Sequence, residues 1–259
     1  MELLPRGVPG KTLYYRVNNA AARERAAVVA MLRATRPDAL GIPMGAFRTI
    51  ASFCAPEGVE PWVYITLDQS RPEVLASNAR LAAGMCPRVI VNPEGGHNSV
   101  TMRTVVRPVV DALLAAGCTV VVSTNSGQVA GMVEAFADEL EHRRLFLRLQ
   151  AYDHNRGDDF TWATNQLARI TALAGGKGAM GLDVGALEGP SDARFAEYFT
   201  RLPRGVRGGF GVWYDSLSPS DKRVLASWSP SPAQGFALVS TLLLIFGVLA
   251  ALLVLWGVR

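Results

Sequence analysis

Short apolar runs recur along the chain at fairly even spacing, at 13–17, 39–44, 62–67, 87–91, 119–122, 145–149, 179–182 and 208–212. Most are rich in Val, Ile, Leu or aromatic residues, the composition of strands buried on both faces. The stretches between them carry helical periodicity at 20–36, 73–83, 99–116, 129–144, 160–173 and 192–202, with a shorter helix over 47–54. In 129–144, Met132, Val133, Phe136 and Leu140 form one stripe, opposed by Glu134, Asp138, Glu139 and Glu141. Ser70 and Ser191 read as N-caps, and Gly84, Gly117 and Gly175 stand where helices should stop. Strand alternating with helix predicts parallel pairing through right-handed crossovers. Eight such units in a chain of this length predict a closed (β/α)8 TIM barrel, with an open doubly wound sheet as the competitor.

The end of the chain has a different texture. After Arg223 the next charged residue is Arg259, and 235–258 is a nearly continuous apolar run. That exceeds the roughly 20 residues needed to cross a hydrocarbon core. The expected organisation is a barrel domain over 1–227, a Pro- and Ser-containing linker over 228–234 and a C-terminal transmembrane helix over 235–258, with the lipid bilayer as a partner. The first thirty residues hold no apolar stretch of the kind a secretory signal requires. Lys222 and Arg223 precede the apolar run and only Arg259 follows it, which places the expected barrel on the cytoplasmic side of the membrane. Cys54, Cys86 and Cys118 are widely separated and match no zinc or disulfide spacing. The net charge of +4 is dispersed, with no basic stripe interleaved with aromatics, so no nucleic-acid partner is expected.

In a barrel of this type the chemistry gathers at the C-terminal ends of the strands. There the sequence delivers Asn18 and Asn19 after strand one, Asp68 after strand three, and Asn92 and Glu94 after strand four. Ser123, Asn125 and Ser126 follow strand five, Gln150, Tyr152, Asp153 and His154 strand six, Asp183 strand seven, and Trp213, Tyr214 and Asp215 strand eight. Five strands thus bring a carboxylate to one rim. Paired carboxylates beside amides and aromatic faces suit cleavage of a glycosidic bond, in which one acid protonates the leaving oxygen and another attacks or directs water. Gly175-Gly176-Lys177-Gly178 precedes strand seven, at the opposite face, and is no Walker motif.

These positions resemble the retaining glycoside hydrolases built on a (β/α)8 barrel. Such enzymes commonly carry an Asn-Glu pair ending strand four, a carboxylate ending strand seven, a Tyr after strand six and a Trp ending strand eight. This chain has Asn92 and Glu94, Asp183, Tyr152 and Trp213 there. It departs from the pattern where Pro93 separates Asn92 from Glu94 and where strand seven supplies Asp rather than Glu. The resemblance implies Glu94 as general acid/base and Asp183 as nucleophile or electrostatic stabiliser. Asp68, Asn92, Asn125, Tyr152, Asp153, Trp213, Tyr214 and Asp215 would bind a carbohydrate or glycoconjugate, without a cofactor. Two other readings stay open. A divalent cation held by Asp68, Glu94, Asp153, His154, Asp183 and Asp215 would support phosphoester or amide hydrolysis. A barrel that binds sugar without turnover would use the same aromatics and amides.

Overall fold

A computed structural model of the chain describes residues 11–15, 23–67, 72–94, 98–125, 127–151, 159–184, 209–213 and 219–227. Eight parallel strands close into a barrel in sequence order: β1 Lys11–Tyr14, β2 Ala39–Pro43, β3 Glu60–Leu67, β4 Arg88–Pro93, β5 Thr119–Asn125, β6 Leu145–Ala151, β7 Met180–Val184 and β8 Phe210–Trp213. The ring is completed by β1 pairing with β8, Leu13 opposite Val212 and Tyr14 opposite Trp213. That pairing removes the open-sheet alternative.

The strands run further toward the rim than their apolar stretches predict. Asn92 and Pro93 belong to β4, Ser123 to Asn125 to β5, Gln150 to β6 and Asp183 to β7. A polar residue ends an apolar run in the sequence without ending the strand, because a closed barrel accommodates polar side chains on its inner face when they bond one another.

Around the strands lie α1 Arg25–Thr35, α2 Phe47–Cys54, α3 Pro72–Met85, α4 over 99–115, α5 Val129–Ala135, α6 Asp159–Leu173 and α7 Pro219–Ser227. Within α4 a π-helical stretch, Met102–Val106, precedes the regular turns of Arg107–Ala115. Asn98 opens α4, its side-chain oxygen accepting the backbone N–H groups of Val100 and Thr101 at 3.0 Å each. Gly84 lies inside α3 rather than ending it, whereas Gly117 takes the left-handed conformation (φ 86°) expected after a helix.

The helix expected over 129–144 is cut short at Ala135. Arg107 explains the stop: its guanidinium takes the Ala135 carbonyl at 2.8 Å and grips the Asp138 carboxylate at 2.6 and 2.7 Å. Arg144 then donates to the carbonyls of Leu114 and Gly117, drawing the segment across the end of α4. The helix α7, absent from the sequence expectation, is tied to β1 by the buried Lys11 ammonium, which donates to the Leu225 carbonyl at 2.8 Å.

Outer-face residues of the strands, among them Val89, Val91, Val120, Val122, Leu147, Leu149 and Leu182, join the helices in one large apolar cluster. A second cluster fills the barrel itself, with Tyr14, Ala39, Trp62, Ile90, Val121 and Phe146. No helix among the described residues is long and apolar enough to cross a membrane. The run expected to do so, 235–258, lies outside the described residues, as do 192–202 and the Ser70 and Ser191 caps.

Candidate functional site

Asp183 projects into the barrel from β7 and is fully buried. A buried carboxylate needs partners, and three side chains supply them. Tyr14 of β1 donates its hydroxyl to Oδ1 at 2.8 Å, and Ser123 of β5 donates its hydroxyl to Oδ2. Arg148 of β6, also fully buried, lies 3.4 Å from Oδ1 and donates to the Tyr14 oxygen and to Thr12 Oγ1, each at 3.1 Å. Burial pushes the Asp183 carboxyl above its ordinary range, against the pull of Arg148, Ser123 and Tyr14. Burial likewise raises the Tyr14 phenol, and the negative charge of Asp183 adds to that effect.

Two glycines make room for this arrangement. A methyl group at Gly211 of β8 would overlap both Asp183 Oδ1 and the Tyr14 ring, and one at Gly41 of β2 would come within 2.8 Å of Tyr14 Cδ1. Tyr14 therefore lies in a slot between glycines on the two strands that flank β1.

The second carboxylate stands at the mouth. Glu94 is exposed, directly after β4, and its backbone N–H continues the β3–β4 pairing by donating to the Leu67 carbonyl at 3.0 Å. Asn92, buried two residues earlier, donates its amide to Glu94 Oε1 at 2.6 Å. The intervening Pro93 makes this contact natural, since residues two apart share a face of a strand. Gln150 of β6 donates to Asn92 Oδ1 at 2.6 Å and to Ser123 Oγ at 3.1 Å. A continuous hydrogen-bonded chain therefore joins Glu94, Asn92, Gln150, Ser123 and Asp183, and Tyr14, Arg148 and Thr12 extend it inward.

Beside Glu94 a cavity of about 350 Å³ opens at the C-terminal ends of β1 to β4. Tyr14, Tyr15, Tyr64, Met44, Asn78 and Glu94 are among the residues that line it. The Tyr14 and Tyr64 rings are tilted at 59° with centroids 5.8 Å apart. Burial raises the Tyr64 phenol, and Glu94 and Asp183 raise it further, so both carboxylates act on this one ring.

Of the residues singled out in the sequence, Asn92, Glu94 and Asp183 are brought into one network. Asn125 is not part of it: its side-chain oxygen accepts the Gln128 backbone N–H at 3.2 Å, a turn role at the end of β5. Trp213 closes β8 by its backbone, and its side chain is outside the described residues. Asp68, Tyr152, Asp153, Tyr214 and Asp215 also lie outside them, together with His154. Among the described residues no three His, Cys, Asp or Glu side chains gather as a metal site would need. Gln150 and Ser123, which stood among the rim residues without an assigned role, join that network, whereas Tyr14 and Arg148 were not singled out in the sequence. The available signal was a lone Arg in Leu-Phe-Leu-Arg-Leu on β6 and a lone Asp in Gly-Leu-Asp-Val on neighbouring β7, two charges that burial obliges to meet.

A parallel eight-stranded barrel with its polar residues at the C-terminal mouth defines the TIM-barrel class. No protein-family model matches the chain, and no curated protein does. Solved structures do. A modular endo-β-1,4-mannanase of glycoside hydrolase family 26 from Cellulomonas fimi aligns with a TM-score of 0.58 at 10% identity, over 85% of this chain and 70% of that one. The catalytic domain of a mannanase from Streptomyces sp. SirexAA-E aligns with a TM-score of 0.56 at 13% identity, over 87% and 88%. Malate synthase from Haloferax volcanii does so with 0.54 at 14%, over 86% and 73%. Glycoside hydrolase barrels and a malate synthase thus stand side by side among the neighbours. What is shared across all three is the barrel.

Proposed function

We propose that this barrel is a hydrolase of a glycosidic bond in a carbohydrate or glycoconjugate, with Glu94 as general acid/base and Asp183 as the buried electrostatic stabiliser of the site. The observation that carries this reading is the cavity at the mouth, where tyrosine faces and an amide meet an exposed carboxylate whose orientation is held by Asn92. Aromatic faces stack on sugar rings, amides take hydroxyls, and an accessible carboxyl can exchange a proton with the glycosidic oxygen. Mannans are reasonable first substrates, because two of the neighbours are mannanases. The apolar run 235–258 would tether the domain to a bilayer, a proposal that rests on the sequence alone and is checked by whether the full chain sediments with membranes.

The test is turnover of aryl glycosides, mannan and membrane oligosaccharides by the full chain, beside Glu94→Gln and Asp183→Asn. Activity that both variants retain in full would sink the mechanism. A second reading, a sugar-binding barrel without turnover, is favoured by one observation: both oxygens of Asp183 are already engaged within the protein. Binding of oligosaccharide with no product formed would select it.

A further inference from the structure

The side chain between the two carboxylates has no role in the function above. Gln150 stands on the inner face of β6 and uses one nitrogen three ways, donating to Asn92 Oδ1 at 2.6 Å, to Ser123 Oγ at 3.1 Å and to the Ser123 carbonyl at 3.3 Å. Each of its side-chain acceptors has an orientation to choose. A carboxamide can present either its oxygen or its NH2, and a hydroxyl has one proton to point. With a donor fixed on its oxygen, Asn92 must turn its NH2 to Glu94, where the bond is 2.6 Å. With a donor fixed on its Oγ, Ser123 has its own proton left for Asp183, the bond that the structure shows.

We propose that Gln150 is a positioning residue that orients Asn92 and Ser123 together, so that a donor faces Glu94 at the mouth and another faces Asp183 within the barrel. Its importance for a reaction rests on the reading of Glu94 as the acid/base group. Its physical action does not. A donor aimed at a carboxylate holds it in one orientation, so Gln150 governs the placing of a group it does not touch.

The experiment follows the Glu94 carboxyl carbon by NMR in the 13C-labelled full chain at neutral pH, the signal being assigned by its loss in Glu94→Gln. Gln150→Met keeps the length of the side chain and adds no charge, so any effect on Glu94 has to pass through orientation. The signal is expected to move when Gln150 is replaced, because the Asn92 donor that faces the carboxylate is then free to turn away. In an Asn92→Ala background the same substitution is expected to add nothing. A signal that stays in place in folded Gln150→Met, or that moves equally without Asn92, overturns the proposal.

If Gln150→Met does not fold, the unaltered chain decides. The Gln150 side-chain amide hydrogens exchange slowly with solvent if the relay exists, and hydrogens that exchange as fast as those of an exposed amide overturn it. Neither measurement uses a substrate, so an empty sugar screen removes the hydrolase reading alone, while failure here removes the role of Gln150 alone.

Discussion

The two faces of the same strands tell different stories. On β6, Leu145, Leu147 and Leu149 face the helices while Phe146, Arg148 and Gln150 face the barrel; on β7, Leu182 faces out and Asp183 in. The outer face is a continuous apolar seam that would hold with many residue choices of similar volume. The inner face is a set of specific bonds in which each side chain has named partners. What differs is tolerance: a buried methylene lost outside leaves a cavity, whereas a buried ion lost inside leaves its partner charged and alone.

The largest test of that contrast is Arg148→Met. It leaves Asp183 buried without its cation and is expected to cost about 3–5 kcal/mol in urea unfolding, with part of the loss recovered when Asp183→Leu is added. On the outer face Leu147→Ala is expected to cost about 2–5 kcal/mol, with no second-site rescue from Asp183→Leu. Were that change to rescue Leu147→Ala equally well, the two faces would not be distinct in kind.

Gly211→Ala comes next. Its methyl group overlaps Asp183 and Tyr14, so an overpacking loss of about 1–3 kcal/mol is expected. Gly45→Ala, where the added methyl meets nothing within 4 Å, serves as the control and is expected to change stability by no more than about 0.5 kcal/mol. Equal effects at the two glycines would mean that the slot around Tyr14 is not tight.

The third test is pH. Because burial raises the Asp183 carboxyl, the folded chain binds this proton at a higher pH than the unfolded chain does. The stability so gained is complete below the ordinary Asp range and is lost as pH rises through the raised folded value. Asp183→Asn has no proton to bind, so the gap in unfolding free energy between parent and variant is expected to change across that window, by about 1.4 kcal/mol for each unit by which the value is raised. A gap that stays flat from acid to neutral pH would contradict it. The smallest effect belongs to Glu94→Gln, at an exposed position, where stability is expected to hold within about 0.5 kcal/mol while turnover is abolished.

The same contrast explains what could be read in the sequence. Outer-face Val and Leu residues recur with the strand period, and eight repeats of that pattern were enough to anticipate the closed barrel. Asn92, Glu94 and Asp183 were legible because they follow apolar runs at the productive end. Arg148 was not, since it interrupts an apolar run and its partners are Thr12, Tyr14 and Asp183, none of them near it in sequence. Gln150 stood at the rim without a role for a related reason: an amide carries no charge to raise the question of its partner. Tyr14 reads as one more apolar strand residue until its hydroxyl is seen on Asp183. Periodicity reports which face a residue occupies, and only three-dimensional adjacency reports what it bonds.

Tyr14 also ties the site to the order in which the molecule assembles. Its bond to Asp183 spans 169 positions of the chain, and the glycine slot that admits its ring needs β8 in place beside β1. Contacts between distant parts of a chain bear a loop-closure cost and tend to slow folding. The ionic centre of this barrel therefore depends on the seam between its first and last strands. A chain caught with that seam open would keep most of its parallel pairings and yet hold Asp183 without Tyr14, so ring closure is the event that completes the site.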